Sequence, residues 1–162
     1  MTQYLIIGNS AGSVGAAEAI RQADPTGELC IVSEEALPAY SRPQIAGYLA
    51  GEVGLEQALF RPRDFYAKNN IRLLLNRQVV ELDRARQVAV CADGRELAYD
   101  RLLLATGGAP IVPPTKGLEA TGYTTFATMD DARKLRDMLP QLKQVVVVGG
   151  GLIGLSAAEA LV

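Results

Sequence analysis

The same order of segments occurs twice in the chain: a short apolar run, a turn that contains glycine, and a stretch of helix-forming residues. The apolar runs are YLII at residues 4–7 and VVVV at residues 145–148. A continuous apolar run of this length is typical of a strand that is buried on both faces, as in a parallel sheet. The repeat therefore predicts an α/β fold in which each copy begins with a buried strand and continues into a helix.

The first copy continues into a complete βαβ unit. A helix is predicted over residues 14–23, where Asp24-Pro25 ends it, and LCIV at residues 29–32 supplies a second buried strand. The crossover between the two parallel strands should be right-handed. No strand follows the second copy, and a single βα unit cannot bury both faces of its strand. The sequence therefore reads as part of a longer protein.

Short segments fill the region between the two copies. Antiparallel strands are predicted over residues 79–82, 87–91 and 96–99, with polar turns between them, and another buried strand over 102–105. The other predicted elements are short helices over 42–49 and 63–69, an extended segment over 71–75, and a helix over 130–139 that Thr128 caps. Together these elements predict a parallel sheet with helices and an antiparallel β-meander.

Charge and composition exclude several functions. With 16 Lys and Arg against 18 Asp and Glu the formal net charge is -2, which offers no electrostatic basis for binding nucleic acid or an anionic membrane. The absence of histidine excludes a Ser-His-Asp triad, histidine zinc sites and the commonest general base. Cys30 and Cys91 form no CxxC pair, so neither a thioredoxin-type redox pair nor a cysteine-rich zinc site is expected. We predict no catalytic side chain and no metal site.

A cytoplasmic location is expected. No apolar run reaches the ~18 residues that a membrane helix requires. The apolar N-terminus lacks a basic segment and is interrupted by Gly8 and Gly12, unlike a signal peptide. The low number of cysteines suits a reducing compartment.

The second turn has the glycine spacing of a dinucleotide-binding loop. Gly149, Gly151 and Gly154 follow a predicted strand and open a predicted helix. In this pattern the first glycine makes the tight turn, the second lets the backbone approach a diphosphate, and the third lets helix and strand pack closely. The helix N-terminus adds free N–H groups and a partial positive charge. A nucleotide site is therefore favoured over a purely structural turn.

The first turn is a degenerate form of the same pattern. Gly8 is present, but Ser10 and Ser13 stand where the second and third glycines would be. By its motif alone this segment is equally well a plain strand-to-helix turn. An acidic residue is expected about 20 positions further on, and Glu34 and Glu35 follow the second strand there, placed to accept hydrogen bonds from ribose hydroxyls. This spacing favours a second dinucleotide site.

Two dinucleotide turns about 140 residues apart indicate two nucleotides that face each other. A protein that holds two dinucleotides usually passes a hydride between them, and the cofactors supply the chemistry while the protein aligns them. Hydride transfer from a nicotinamide to a flavin needs no general base from the protein, in agreement with the absence of histidine.

Four ordered segments resemble the FAD-dependent pyridine nucleotide-disulfide oxidoreductase superfamily over the whole chain. They are GNSAGSVGAAEAIR, SEEALPAYSRPQI, LLLATGGAPIVPP and VVVVGGGLIGLSAAEAL. Within the superfamily the chain is most similar to the group of NADH-dependent rubredoxin and ferredoxin reductases, the nitrite reductase large subunit and apoptosis-inducing factor, to which the YSRP stretch at residues 40–43 points. The resemblance implies the FAD/NAD(P)-binding Rossmann-like three-layer fold, with FAD and either NADH or NADPH as cofactors.

The resemblance also implies roles for individual residues. The FAD diphosphate would be wrapped by the first turn, which comprises Gly8, Asn9, Ser10, Ala11 and Gly12. Glu34 and Glu35 match the acidic pair at the adenosine ribose, the backbone of Val79 would meet the adenine, and Arg42 would contact FAD at its phosphates. The turn that closes over the flavin nucleotide would be Ala105, Thr106 and Gly107. The nicotinamide dinucleotide would be held by Gly149, Gly151 and Gly154.

The sequence departs from the family pattern in three places. No cysteine occurs in residues 40–50, where disulfide- or peroxide-reducing members carry a reactive one, and Gly47 replaces a lysine of the ferredoxin reductases. The family's C-terminal flavin motif, a glycine-aspartate pair, would lie beyond residue 162. We therefore expect residues 1–112 to be the N-terminal part of an FAD-binding lobe, 113–142 a connector with a helix, and 143–162 the incomplete first βα unit of an NAD(P)-binding domain.

Together these features predict the N-terminal portion of a flavoprotein oxidoreductase that passes a hydride from NAD(P)H to FAD and electrons onward. The fragment itself is expected to be inactive. The expected acceptor is a small redox protein, a partner domain or a small molecule, and a homodimer is one expected assembly; no nucleic acid or membrane partner is expected. Two alternatives stay open. One is a nucleotide-binding, redox-sensing flavoprotein without significant turnover; the other is a single NAD-binding Rossmann domain without flavin, which leaves Glu34, Arg42 and the turn at Thr106 unexplained.

Overall fold

Seven strands form two sheets in the computed structural model, which describes all residues 1–162. The strands are β1 (Gln3–Ile7), β2 (Glu28–Val32), β3 (Ile71–Leu74), β4 (Val79–Asp83), β5 (Val88–Cys91), β6 (Glu96–Ala98) and β7 (Arg101–Leu104). One sheet is parallel with the order β3-β2-β1-β7, and the other is an antiparallel meander with the order β4-β5-β6. The predicted α/β fold with a parallel sheet and a meander is confirmed.

Six helices complete the chain, together with short 3-10 turns at Leu118–Ala120 and Leu139–Gln141. They are α1 (Ala11–Ala23), α2 (Gln44–Ala50), α3 (Leu55–Ala58), α4 (Phe65–Lys68), α5 (Met129–Met138) and α6 (Leu152–Glu159). None of them combines the length and the apolarity that are needed to cross a bilayer. α3 was not predicted and α4 is shorter than predicted, because a single helical turn is too short for its hydrophobic period to be recognised in the sequence.

The chain is divided into two compact units. One consists of residues 1–40 and 59–107 and contains both sheets; the other consists of residues 41–58 and 108–162. The segment 41–58, which carries α2 and α3, therefore belongs with the later part of the chain and not with the sheets. The domain boundaries predicted at 112 and 142 refer to a whole protein and stay predictions.

Alternate residues of the parallel strands face two different layers. Ile6 of β1 packs with Val14 of α1, whereas its neighbours Leu5 and Ile7 pack with Ala89 of the meander. Successive side chains of a strand point to opposite faces, so a strand that is covered on both sides is apolar throughout. The continuous apolar runs of β1 and β2 therefore reflect a parallel sheet between a helical layer and a meander. The strand predicted to be buried over residues 102–105 is instead largely exposed as β7, with Leu104 59% exposed.

One arginine ties the end of α1 to two turns. Arg21, in the last turn of α1, donates hydrogen bonds to four main-chain oxygens. Its Nε donates to Asn69 at 2.6 Å and its Nη2 to Asn70 at 2.9 Å, while its Nη1 donates to Gly27 at 2.9 Å and Asp24 at 3.3 Å. These bonds join the α1–β2 turn to the turn that precedes β3.

Replacing Arg21 with alanine is expected to lower the free energy of unfolding of the chain by about 2–4 kcal/mol, because several carbonyl oxygens lose a charge-assisted donor. Urea denaturation measures this loss. Arg84→Ala, in an exposed turn, is the control and should stay within about 0.5 kcal/mol of the parent chain. Equal stabilities of the two variants would contradict the role given to Arg21.

The helix predicted over residues 130–139 is α5 of the second unit, and its predicted cap is confirmed. The Thr128 hydroxyl accepts a hydrogen bond from the Asp131 N–H at 3.1 Å, and the Asp131 carboxylate accepts from the N–H groups of Ala127 and Thr128 at 2.9 and 3.0 Å. Burial alone would raise the pKa of Asp131, but the hydrogen bonds that it accepts from these N–H groups and from the Thr125 and Thr128 hydroxyls together outweigh burial and hold the pKa below its ordinary value. The reciprocal bonds fix the start of α5.

The strand predicted over residues 145–148 is not formed, so that prediction is wrong. No residue of the run pairs with another strand, and the side chains of Val146 and Val148 are each 85% exposed. A strand is stable only when a neighbour satisfies its N–H and C=O groups and a second layer covers its apolar side chains. The helix that follows, which was predicted from Leu155 onward, does form as α6 because a helix satisfies its own backbone, but it begins three residues earlier, at Leu152.

Candidate functional site

The first glycine turn follows β1, the strand at which the strand order of the parallel sheet reverses. From β1 the chain crosses to β2 on one side, whereas β7 lies on the other side of β1. The Gly8 N–H donates to Val32 at the end of β2, and the Ala105 N–H after β7 donates to Ile7 at the end of β1, each at 2.8 Å. In open α/β sheets, ligands bind beyond the carboxyl ends of the strands at such a switch point.

Gly8 is required by the close approach of two strand ends. Its φ is +105°, and a Cβ built on it would lie 2.1 Å from the carbonyl oxygen of Ala105 and 3.0 Å from the nitrogen of Thr106. A side chain cannot occupy that space. The structure therefore brings the predicted Ala105-Thr106 turn directly against the predicted glycine turn. Gly107 follows with a φ of +73°.

Two serines replace the second and third glycines of the pattern. Ser13 is fully buried, and its hydroxyl donates to the Gly8 carbonyl at 2.8 Å while accepting from the Ser10 N–H at 3.4 Å. The third glycine of such turns lets helix and strand pack closely; here a small hydroxyl side chain joins them with a hydrogen bond. This contact explains why the degenerate sequence still makes the turn.

The first turn of α1 is open to a ligand. The helix begins at Ala11, three residues earlier than predicted, with Ser10 as its N-cap. Its first turn contains no acidic residue, and nothing lies within 4 Å of the position that a Cβ on Gly12 would occupy. Free N–H groups at a helix start attract anions, so the turn fits a diphosphate.

Asn9 supplies a further donor at this turn. Its Oδ1 accepts a hydrogen bond from the Tyr66 hydroxyl at 2.9 Å, whereas its buried Nδ2 has no partner. A buried N–H without an acceptor is unfavourable and indicates a missing hydrogen-bonding group. Together with the open first turn of α1, this unsatisfied donor fits an anionic dinucleotide such as FAD. Tyr66 itself was not predicted, because a tyrosine beside Phe65 resembles an ordinary core residue.

Glu34 and Glu35 lie at the same edge of the sheet, directly after β2. Glu35 is held at three points: its N–H donates to the Ser33 hydroxyl at 3.3 Å, its carbonyl accepts from the Asn76 N–H at 3.2 Å, and its carboxylate accepts from the Tyr40 hydroxyl. Glu34 is exposed. Parallel strands end at one edge, so both acidic residues share that edge with the Gly8 turn.

Val79 opens the meander beyond the carboxyl end of β3. It pairs with Cys91 in β5 and packs against the cluster that contains Leu5 and Val32. The register of the β4–β5 ladder shifts between Val79 and Glu81. The predicted contact of the Val79 backbone with adenine stays a prediction.

The other predicted site residues belong to the second unit. The Arg42 guanidinium donates from Nη1 to the carbonyl of Ala127 at 2.5 Å. The later turn has the geometry of a dinucleotide loop: Gly149 has a φ of +120°, a Cβ on Gly154 would lie 2.0 Å from the Gly149 carbonyl oxygen, and nothing lies within 4 Å of a Cβ on Gly151. The tight turn at Gly149 and the close contact at Gly154 form without the predicted strand beside them, and the role of the three glycines in holding the nicotinamide dinucleotide stays a prediction.

The two cysteines lie in or beside the core, Cys91 buried and Cys30 partly buried. Burial raises the pKa of the Cys30 thiol to about 11 and also raises the pKa of Cys91. The thiolate is the reactive form of cysteine, so both thiols should be poor nucleophiles. The arrangement gives no support to a disulfide- or peroxide-reducing site.

The raised pKa of Cys30 predicts a pH dependence of stability. The unfolded chain loses this proton near its ordinary pKa of 9.0, whereas the folded chain keeps it until about 11. The contribution of Cys30 to the free energy of unfolding is therefore complete below pH 9 and decreases as the pH rises toward 11. Urea denaturation across this window measures the decrease. The Cys30→Ala variant should show a shallower dependence, and an identical dependence would contradict the burial of this thiol.

Comparisons with known proteins agree with this geometry. A family model described as pyridine nucleotide-disulphide oxidoreductase matches residues 2–162. The chain is 38% identical over 161 residues to the NADH-dependent phenylglyoxylate dehydrogenase subunit epsilon of Aromatoleum evansii, covering 99% of this chain and 38% of that protein. It is 37% identical over 159 residues to the rubredoxin-NAD(+) reductase of Pseudomonas putida, covering 98% of this chain and 41% of that protein.

A solved structure is similar over the same extent. The crystal structure of a ferredoxin reductase from Rhodopseudomonas palustris matches with a TM-score of 0.88 and 29% identity, covering 99% of this chain and 40% of that one. The chain thus spans between 38% and 41% of the length of these three proteins. Because the family model matches almost every residue, the chain belongs to the pyridine nucleotide-disulphide oxidoreductase family.

Proposed function

We propose that the chain is the N-terminal portion of a flavoprotein oxidoreductase in which a hydride passes from NADH or NADPH to FAD and electrons pass on to an acceptor. The observation that carries this proposal is the edge of the parallel sheet where the Gly8 turn, the Ala105-Thr106 turn and the Glu34-Glu35 pair come together. A diphosphate site and a ribose site at one switch point fit one dinucleotide.

Different residues would bind different parts of FAD. Amides from Gly8 to Gly12 would bind the diphosphate, and the carboxylates of Glu34 and Glu35 would accept hydrogen bonds from the ribose hydroxyls. When bound, FAD accepts the hydride and so supplies the redox chemistry. The other assigned residues are Arg42 at the phosphates, Val79 at the adenine, and Ala105, Thr106 and Gly107 at the flavin nucleotide.

The second turn would hold the hydride donor. The tight turn at Gly149, the open position at Gly151 and the close packing at Gly154 support a diphosphate site for NADH or NADPH. The names of the relatives support NADH as the donor, because the Aromatoleum evansii protein is NADH-dependent and the Pseudomonas putida protein is a rubredoxin-NAD(+) reductase.

The electron acceptor is proposed to be a small redox protein or a partner subunit. Rubredoxin in the name of one relative and ferredoxin in that of another support the first, and the subunit name of the Aromatoleum evansii protein supports the second. A partner domain or a small molecule, a homodimeric assembly and a cytoplasmic location stay predictions.

The proposal is tested by mixing the flavin-loaded full-length protein with NADH or NADPH without oxygen and following the visible flavin absorbance. We expect the absorbance to bleach with one of the two donors and to return on addition of ferricyanide, with many turnovers. Nucleotide binding without bleaching would favour the redox-sensing alternative. NADH binding by a protein that takes up no flavin would favour the single NAD-binding domain. The 162-residue chain alone is expected to oxidise no NADH.

A further inference from the structure

The side chain of Tyr66 joins two loops at the candidate FAD site. The residue is 6% exposed and belongs to the cluster of Ile6 and Val14, and its ring makes an edge-to-face contact with the Phe65 ring at 5.2 Å between centroids. The packed ring fixes the position of its hydroxyl. That hydroxyl accepts the Ala39 N–H at 3.0 Å and donates to Asn9 at 2.9 Å.

The direction of these hydrogen bonds sets the orientation of the Asn9 amide. The Ala39 N–H occupies a lone pair of the Tyr66 oxygen, and the single hydroxyl proton of Tyr66 is given to Oδ1 of Asn9. With Oδ1 turned toward Tyr66, the NH₂ group of Asn9 is the half of the amide that is available to another partner. This Nδ2 is the buried side-chain atom for which the protein offers no acceptor.

The position of Asn9 indicates what the missing acceptor is. It lies between Gly8, at the close approach to Ala105, and Ser10, the N-cap of α1. The backbone amides of this turn are proposed to donate hydrogen bonds to the diphosphate. An acceptor that lies at the turn would therefore be an anionic phosphate oxygen. The uncharged NH₂ group of Asn9 can donate a hydrogen bond to such an oxygen.

We propose that Tyr66 is a positioning residue, which holds the Asn9 amide so that Nδ2 donates a hydrogen bond to a diphosphate oxygen of the bound dinucleotide. This inference rests on the proposed function, since it assumes that FAD binds at the Gly8 turn. It adds a donor from Asn9 and a supporting hydroxyl from Tyr66, a residue that the sequence pattern does not single out.

The test measures the equilibrium dissociation constant of FAD for the full-length protein and for Tyr66→Phe, Asn9→Ala and the double variant. Each single variant is expected to weaken FAD binding about tenfold, as for the loss of one charge-assisted hydrogen bond. The double variant should bind FAD no more weakly than Asn9→Ala does, because the Tyr66 hydroxyl acts only through Asn9. Tyr4→Phe, which removes a hydroxyl that donates to Asp24, is the matched control and should bind FAD normally.

A fourth variant separates a donor role from a structural one. Asn9→Asp keeps an oxygen that accepts from Tyr66 but replaces the NH₂ donor with a negative charge, so it should weaken FAD binding about 100-fold and more strongly at low ionic strength. Normal FAD binding by Asn9→Asp, or additive effects in the double variant, would overturn the inference. Failure of the parent protein to bind any FAD would instead overturn the proposed function, and this inference with it.

Discussion

Replacing Gly8 with alanine is expected to lower the free energy of unfolding of the chain by roughly 2–6 kcal/mol. About 1–3 kcal/mol comes from overpacking and about 1–3 kcal/mol from the strained backbone. The new methyl group would have to fit 2.1 Å from the carbonyl oxygen of Ala105, at a φ of +105°. Because whole domains are stable by only about 5–15 kcal/mol, this loss removes a large fraction of the total stability and should lower the urea concentration at the midpoint of unfolding. Urea denaturation followed by circular dichroism measures the change.

Gly12→Ala is the matched control in the same turn. No atom lies within 4 Å of the added Cβ, and alanine favours a helix over glycine by about 1 kcal/mol, so the fold should be as stable as before or slightly more stable. The full-length protein should nevertheless bind FAD less tightly, because the methyl group occupies the open side of the turn. If Gly8→Ala and Gly12→Ala were equally stable, the close approach of β1 and β7 would be contradicted.

Replacing Gly154 with alanine is expected to slow the reduction of the flavin by NADH at least about tenfold while leaving the FAD content unchanged. The added Cβ would lie 2.0 Å from the Gly149 carbonyl oxygen, so the turn would have to open and its amides would leave the positions that suit a diphosphate. A misplacement of about 1 Å is enough to reduce a rate by at least that factor. Anaerobic rapid mixing with NADH measures the rate, and flavin absorbance measures the FAD content.

Gly150→Ala is the control for the second turn. Nothing lies within 4 Å of its added Cβ, and its φ is not in the region that favours glycine. We expect this variant to be reduced by NADH at nearly the parent rate. Loss of bound FAD in Gly154→Ala, or equal rates in the two variants, would contradict the assignment of this turn to the nicotinamide dinucleotide.

The parts of the fold that were predictable are those in which local pattern and tertiary structure agree. The run at Leu5 and Ile6 is apolar because a parallel strand is covered on both faces, so its burial can be inferred without coordinates. The same rule fails at Val146, where an equally continuous apolar run has no strand beside it. A strand depends on its neighbours for hydrogen bonds, and the sequence of one run does not reveal whether those neighbours are present.

The candidate site was predictable where glycine spacing and strand ends mark it, and not where side chains join distant loops. Ser13 departs from the glycine pattern in the sequence, and its hydrogen bond to Gly8 explains why the turn tolerates it. Tyr66 lies 57 positions from Asn9, and no local period connects them. Arg42 illustrates the same limit, because its contact with Ala127 spans 85 positions.

The most direct measurement of the central claim is a crystal structure of the flavin-loaded full-length protein. The account predicts one FAD per chain, with its diphosphate against the amides of the Gly8–Gly12 turn and its adenosine ribose within hydrogen-bonding distance of Glu34 or Glu35. Density for FAD elsewhere, with this turn unoccupied, would contradict the account.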